Sequence, residues 1–326
     1  MPRRLYSCTP SRLNTWLDCR RRYRFTYLDR PQPAKGPAWA HNSVGASVHN
    51  ALAGWWREPY ERRTPLTAAI LLTNGWITEG FRDGEQSAEW LGRARDLVSG
   101  YVATLDPSDD PVGVERTVAT RTKVIAVSGR IDRLDRRGDE LVVVDYKTGR
   151  RPLTQDDARS SLALAIYAIA ASRMMRTPCY SVELHHLPTG EIVEWRHTDD
   201  SLRRHLTRAE EMAQEAADAD ERYRAVLSDV PAPRAGGSGT AGRTGTRAGQ
   251  PQPQSPPQSA QGEPEGPAAG ALQGATGGQA TAVTAELDDL FAPNPGPICG
   301  WCDFRRHCPE GQAAAQERRP WDGLAD

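Results

Sequence analysis

Two carboxylates and a lysine stand close together in VSGRIDRLDRRGDELVVVDYKTGRR, residues 127–151. Asp132 lies within GRIDR, Asp145 ends the apolar run Leu141–Val144, and Lys147 follows Asp145 with one residue between them. Oxygen ligands of this kind hold a hard divalent cation, and a nearby ammonium can neutralise charge developing on a phosphate. Together they are the parts needed for metal-assisted hydrolysis of a phosphodiester.

A solvated hairpin face is the plainer reading of such charges. Against it, Asp145 follows Val142-Val143-Val144, a run typical of a strand buried on both faces. A buried carboxylate is costly unless it is paired or metal-bound. The positioning elements are legible. Val124–Asp135 mixes β-branched and polar residues, Arg137-Gly138-Asp139 is a turn signal, and Glu140–Tyr146 reads as a second strand. Side chains alternate along a strand, so Asp145 and Lys147 share one face and Tyr146 takes the other. The hairpin returns Asp132 to within a few residues of register with Asp145.

GRIDR…VVVDYKTG resembles the GxxDxx…DYKTG core of the RecB-type branch of PD-(D/E)XK nucleases, which includes RecB-like exonucleases and CRISPR-associated adaptation nucleases. Further elements follow the family's order from near residue 11 to near residue 309. The resemblance implies an α/β, restriction-endonuclease-like core with a mixed central sheet flanked by helices. It implies Mg2+ or Mn2+ held by His49 of GASVH, Asp132, Asp145 and the carbonyl of Tyr146, with Asp132, Asp145, Lys147 and Tyr167 as catalytic residues. Glu115 looks like the family's acidic residue upstream of the first Asp; an exposed Glu at a strand start is the competing reading. Tyr167 sits in a segment similar to a Q-x-x-x-Y helix, but Ala163 occupies the Gln position. Gln155 or Ser160 could take over that task, and a DNA-binding module on a nuclease fold is the alternative function. Tyr167 can also be read as core, since its helix is apolar nearly all round.

Cys299, Cys302 and Cys308 form a C-x2-C-x5-C cluster, a metal signal one ligand short of a closed site. His307 adjoins Cys308, which strains shared chelation, so Cys19 is the better fourth ligand. The same family resemblance implies this pairing, through Ser11-Arg-Leu13…Cys19, and with it a [4Fe–4S] cluster clamping the two parts of the chain together. Zinc in the same four thiols is the alternative. Cys8 and Cys179 lack partners at ligand spacing and read as buried thiols.

Bulk properties set the remaining bounds. A net charge of −1 announces no global basic field, and a mean hydropathy of −0.63 suits a soluble chain. Residues 1–35 concentrate nine Lys and Arg among Tyr6, Trp16, Tyr23, Phe25 and Tyr27. Basic residues among aromatics can grip phosphates and stack bases; an amphipathic helix with its arginines in water is the plainer reading. No apolar stretch is long enough to span a bilayer, the longest being Leu162–Ala171, and a cytoplasmic location is expected. DNA, single-stranded or at ends, is the expected partner, in repair or recombination. No G-x-x-x-x-G-K-[ST] loop occurs, so duplex unwinding would fall to a separate helicase.

Three regions are expected. Residues 1–230 form the nuclease core with the Cys19 helix, 231–283 a disordered linker poor in large aliphatics, and 284–326 a cysteine segment packing back on the core. Within the core, residues 1–30 read as helical and 31–42 as a Pro/Gly loop. Helices are expected near 44–56, 66–82, 87–105, 157–173 and 199–226, with a hairpin at 180–197. Ala285–Phe291 reads as a short amphipathic turn.

Overall fold

The computed structural model describes residues 5–228 and 277–324. It opens with strand β1 (Tyr6–Cys8), which sequence reading took for helix, and then α1 (Pro10–Asp18) and α2 (Arg20–Tyr27). Thr9 caps α1, its hydroxyl accepting from Arg12 N at 3.1 Å. The expected single helix breaks at Cys19, whose extended backbone ends α1 and starts α2. Next come α3 (Ala40–Arg57), α4 (Pro65–Asn74) and α5 (Gly84–Val102). The helix α3 begins four residues before its predicted start, inside the expected loop. The helix α4 stops well short of residue 82, at Asn74-Gly75, the Gly being a weak helix former.

Three antiparallel strands follow: β2 (Gly113–Arg121), β3 (Ile125–Arg137) and β4 (Glu140–Lys147). The predicted helix at 157–173 is two helices, α6 (Gln155–Ser160) and α7 (Leu162–Met175), separated at Ser161, which caps α7 through its hydroxyl. Strands β5 (Cys179–His186) and β6 (Glu191–Arg196) form the expected hairpin, and α8 (Asp199–Ser228) follows. Most of the expected linker lies outside the described residues. Its last part does not: residues from Gly277 onward belong to helix α9 (Gly277–Leu290), which also replaces the short turn expected near 285. A last short helix, α10 (Pro309–Ala314), follows the cysteine cluster.

The sheet is mixed. Its order is β1-β3-β4-β5-β6, with β2 on the other edge of β3; β1 pairs β3 in parallel, and so does β5 with β4. Helices cover both faces. Val142, Val144 and Tyr146 pack with Trp55, Trp56, Leu52 and the α4–α5 layer. Leu141, Val143, Val182 and Leu184 pack on α7 through Leu164, Ala168 and Ala171. Burial of each large apolar side chain contributes about 1.5–3 kcal/mol. The valine triplet before Asp145 is therefore anchored from both sides, as its composition predicts.

One titrating group ties α8 to the sheet. His197 is buried, its Nδ1 lies 3.0 Å from Ser201 Oγ, and its ring faces that of His205 edge-on. Burial, with the neighbouring His205, pushes its pKa down to about 4. The unfolded value is about 6.5, so the folded state holds the neutral ring. Its contribution to stability is complete above pH ~6.5 and is lost as pH falls through about 4. Urea midpoints measured from pH 7 to pH 4 should fall more steeply for the wild type than for His197→Asn.

Candidate active site

The register of the three antiparallel strands builds the site. Val114 opposes Arg133 and Arg116 opposes Ile131, which sets Glu115 across from Asp132. Arg133 opposes Val144, and one further step sets Asp132 across from Asp145. Three carboxylates thus stand in one row across three strands. Strand pairing between β3 and β4 ends one rung before, at Arg133 and Val144, and beyond it Asp132 Oδ2 accepts from the backbone N–H of Tyr146 at 2.8 Å.

Helix α3 brings in the nitrogen. His49 Nδ1 lies 3.3 Å from Asp132 Oδ1. Gly45, one turn earlier, permits the approach: a Cβ there would stand 3.3 Å from Thr148 Oγ1, just beyond Lys147. Among the described residues, His49, Glu115 and Asp132 form the one group whose ligand atoms all lie within 4.8 Å of each other. Asp145 stands apart from this trio, its Oδ2 turned to Lys147 Nζ at 2.5 Å. Tyr146 points to the other face, where its hydroxyl accepts from Trp56 Nε1 at 3.1 Å.

The electrostatics are those of crowded, partly buried carboxylates beside an imidazole. Burial disfavours the His49 imidazolium, yet Asp132, Asp145 and Glu115 together outweigh it and raise the pKa. Burial raises the Asp145 carboxyl, Lys147 opposes that, and Asp132 adds to it. Burial and then Asp132 raise Glu115, against the pull of Arg130, which sits 2.9 Å away. Glu115 also carries backbone strain, with φ at 49° inside a strand. A non-glycine residue held in the left-handed region costs roughly 1–3 kcal/mol, and such residues cluster at functional sites.

Tyr167 reaches the same cleft, of about 730 Å³, alongside His49, Glu115 and Asp132. It lies over Gly129, where a Cβ would come within 2.3 Å of its ring. Gly129→Ala should therefore displace Tyr167 and cost about 1–3 kcal/mol. Urea unfolding of Gly129→Ala, Tyr167→Ala and the double variant should show that removing the ring recovers most of the loss. Neither stand-in for the missing Gln is well set for the task. Gln155 opens α6, and Ser160 donates its hydroxyl to the Asp156 carbonyl at 2.6 Å. Arg151 is engaged by Asp157 at 2.6 Å, while Arg150 lines the cleft.

The cysteines converge as a second constellation. Cys19, Cys299, Cys302 and Cys308 line one pocket between the start of α2 and the segment around residues 297–311. Backbone N–H groups point at the sulfurs: Arg22 at Cys19, 3.5 Å, Gly296 at Cys299, 3.4 Å, and Gly311 at Cys308, 3.4 Å. A Cβ on Gly311 would stand 3.4 and 3.5 Å from two of these sulfurs. No three of the thiols meet within the 4.8 Å that unites the His49 trio. His307 is occupied elsewhere, its Nε2 lying 2.9 Å from the Ala34 carbonyl oxygen.

Three of the N-terminal arginines follow neither reading, being neither in water nor free for a phosphate. Arg12 is enclosed by Tyr6, Tyr23 and Tyr27 and pairs with Asp220 at 3.0 Å. Arg21 pairs with Glu310 and Asp288, and Arg24 with Asp29 and Asp288. These guanidinium groups fasten α1 and α2 to α8 and the C-terminal segment instead of facing a phosphate.

The sequence matches the PD-(D/E)XK nuclease superfamily over residues 7–309. The chain belongs to the PD-(D/E)XK nuclease superfamily. No curated protein matches it. Superfamily membership fits the mixed sheet with helices on both faces, points to metal-dependent cleavage of phosphodiesters, and makes DNA the expected substrate. No helix among the described residues is long and apolar enough to cross a membrane.

Sequence reading of this superfamily member missed a polar network under the site. Arg133 stacks against Trp56, pairs with Asp135 at 2.8 Å and reaches Tyr101, whose hydroxyl meets His185 Nδ1 at 2.8 Å. His185 Nε2 in turn meets Glu183 Oε2 at 2.8 Å, and Arg137 closes the network on Glu183. The available signal was Glu183 and His185 alternating with Val182 and Leu184 in a strand buried almost throughout. The C-terminal turn was also missed as a cleft wall: Leu324 is buried in the α3 core, and Gly323 abuts His41.

Proposed function

We propose that the chain is a Mg2+- or Mn2+-dependent deoxyribonuclease, an exonuclease acting on single-stranded DNA or DNA ends in repair or recombination. The observation that carries this reading is the row Glu115, Asp132 and Asp145, met by His49 from α3 and by Lys147 from the same strand as Asp145. His49, Asp132, Asp145 and the Tyr146 carbonyl would hold the ion, with Glu115 as a further ligand. The close approach of His49, Glu115 and Asp132, the His49 pKa raised by the carboxylates against burial, and the Glu115 pKa raised by burial and then by Asp132 support this donor set. An imidazole among the ligands favours Mn2+ more than carboxylates alone would. When bound, a divalent ion supplies Lewis acidity to the scissile phosphate and lowers the pKa of a water.

The chain's own groups do the positioning. Asp132 is fixed by the Tyr146 N–H, which orients its free oxygen toward His49. Lys147 sits beside Asp145, where it neutralises charge on the phosphate and orients the attacking water. Tyr167 is the fourth catalytic group, its ring seated on Gly129 at the cleft wall. In the overall step water oxygen bonds to phosphorus, the P–O bond to the leaving nucleoside breaks, and the leaving oxygen takes up a proton.

The cysteines are assigned a [4Fe–4S] cluster, with zinc as the alternative. The protein works in the cytoplasm, with a separate helicase where duplex must be opened. Purified anaerobic protein should degrade labelled single strands with Mg2+ or Mn2+, and comparison of 5′ and 3′ labels should give one polarity. The second reading, a DNA-binding module with weak catalysis, is favoured by Ala163. It predicts binding without release of nucleotides in the same assay.

A further inference from the structure

A second groove, of about 390 Å³, runs into the catalytic cleft. The two share Asn42 and Ala46 on the exposed face of α3, so the path from His49 toward the N-terminal end of that helix is continuous. Trp39 and Lys35 line its far part. Trp39 is fixed in place: its Nε1 donates to Asp303 Oδ1 at 2.9 Å, and its ring lies 5.2 Å from that of Trp301. The chain that presents it is backed by Gly80, at φ 86°, where a Cβ would stand 2.4 Å from the Ala38 carbonyl. Lys35 is exposed and makes no ion pair among the described residues.

The chain has only three lysines, Lys35, Lys123 and Lys147. Lys35 stands at the far end of this path, and Lys147 lies beside Asp145, next to Thr148 of the cleft wall. Seven residues of helix separate Asn42 from His49, about 10 Å, or roughly three base steps at ~3.4 Å each. A preformed indole beside an ammonium suits a ligand that alternates flat rings with phosphates. The rings of such a ligand are free to stack only when its bases are unpaired.

We propose that the groove at Trp39 and Lys35, whose near edge at Asn42 lies roughly three nucleotides from the phosphate at Asp132, is a nucleobase-and-phosphate subsite for an unpaired strand. It rests on the reading of the cleft as a phosphodiester site, but its test does not need turnover. Binding of fluorescent oligothymidylates of graded length is followed by anisotropy in EDTA. Affinity should rise steeply once the strand exceeds roughly four nucleotides, and Lys35→Glu should weaken binding of longer strands by about tenfold. Strands carrying 5-iodouracil, irradiated on the full-length protein, should crosslink to the peptide containing Trp39 or that containing Trp301. Wild-type affinity of Lys35→Glu for long strands, or crosslinks that avoid both peptides, would overturn the subsite. Length-dependent binding by a protein that cleaves nothing would uphold the subsite and overturn the nuclease reading. Cleavage with no length dependence would do the reverse.

Discussion

Replacing Lys147 with alanine is expected to lower single-strand cleavage by about 10²–10³-fold, the cost of removing one charged donor aimed at a developing oxyanion. DNA binding should change little, since one ammonium among several contacts contributes modestly to affinity. The variant also removes the counter-charge 2.5 Å from Asp145. That carboxyl is already raised by burial and by Asp132, so without Lys147 it should hold its proton to higher pH. The pH profile of residual cleavage should therefore move toward alkaline values. Lys147→Arg should not restore the rate, because a planar guanidinium does not reproduce a compact ammonium. Full cleavage by Lys147→Ala would remove Lys147 from the mechanism.

The other large effect is expected at the cysteines. Cys302→Ser should abolish the bound centre and with it visible thiolate-to-metal absorption, because one of the four converging sulfurs is lost. The consequence should spread beyond the centre, since metal-binding energy at such sites is folding energy. The segment near residues 296–324 is otherwise held to the core by scattered polar contacts and a few buried side chains, including Phe304 and Leu324. Among those contacts are Gly36 N to Asp303 O at 2.7 Å, Ala40 N to Pro320 O at 3.0 Å, and Arg21 to Glu310 at 3.0 Å. Thermal unfolding should begin at clearly lower temperature in Cys302→Ser than in the wild type, and protease should trim the C-terminal segment first. Cys179→Ser changes a thiol buried in the sheet core, remote from that pocket, and serves as the control that keeps its absorption. A Cys302→Ser protein as strongly coloured as the wild type would sink the four-cysteine assignment.

Much of the site was legible because its parts are local. Asp132, Asp145 and Lys147 sit on one hairpin, and strand alternation with a Gly138 turn is enough to bring them together. The placement of Glu115 needed the register of a third strand, which no short-range pattern supplies. Its left-handed backbone likewise leaves no trace in residue type, Glu being an ordinary strand-edge residue. Helix breaks at Cys19 and Ser161 were missed for another reason. The residues on both sides favour helix, and the interruptions come from capping: the Cys19 sulfur and the Ser161 hydroxyl each accept a backbone N–H three residues on. The N-terminal arginines misled in part because sequence shows charge without its partner. Asp220 and Glu310, which pair with Arg12 and Arg21, lie 208 and 289 residues away.

The position of Leu324 has a consequence for the time course of synthesis. Its side chain fills part of the core beneath α3, and its neighbour Gly323 packs against His41 at the cleft wall. A ribosome delivers these residues nearly three hundred positions after His41. Domains fold as units as they emerge, N-terminal parts first, so the hairpin that carries Asp132 and Asp145 can form while the wall is still being made. The cleft wall thus couples the last described turn to α3, so that losing Leu324 from that core should open the wall beside His41.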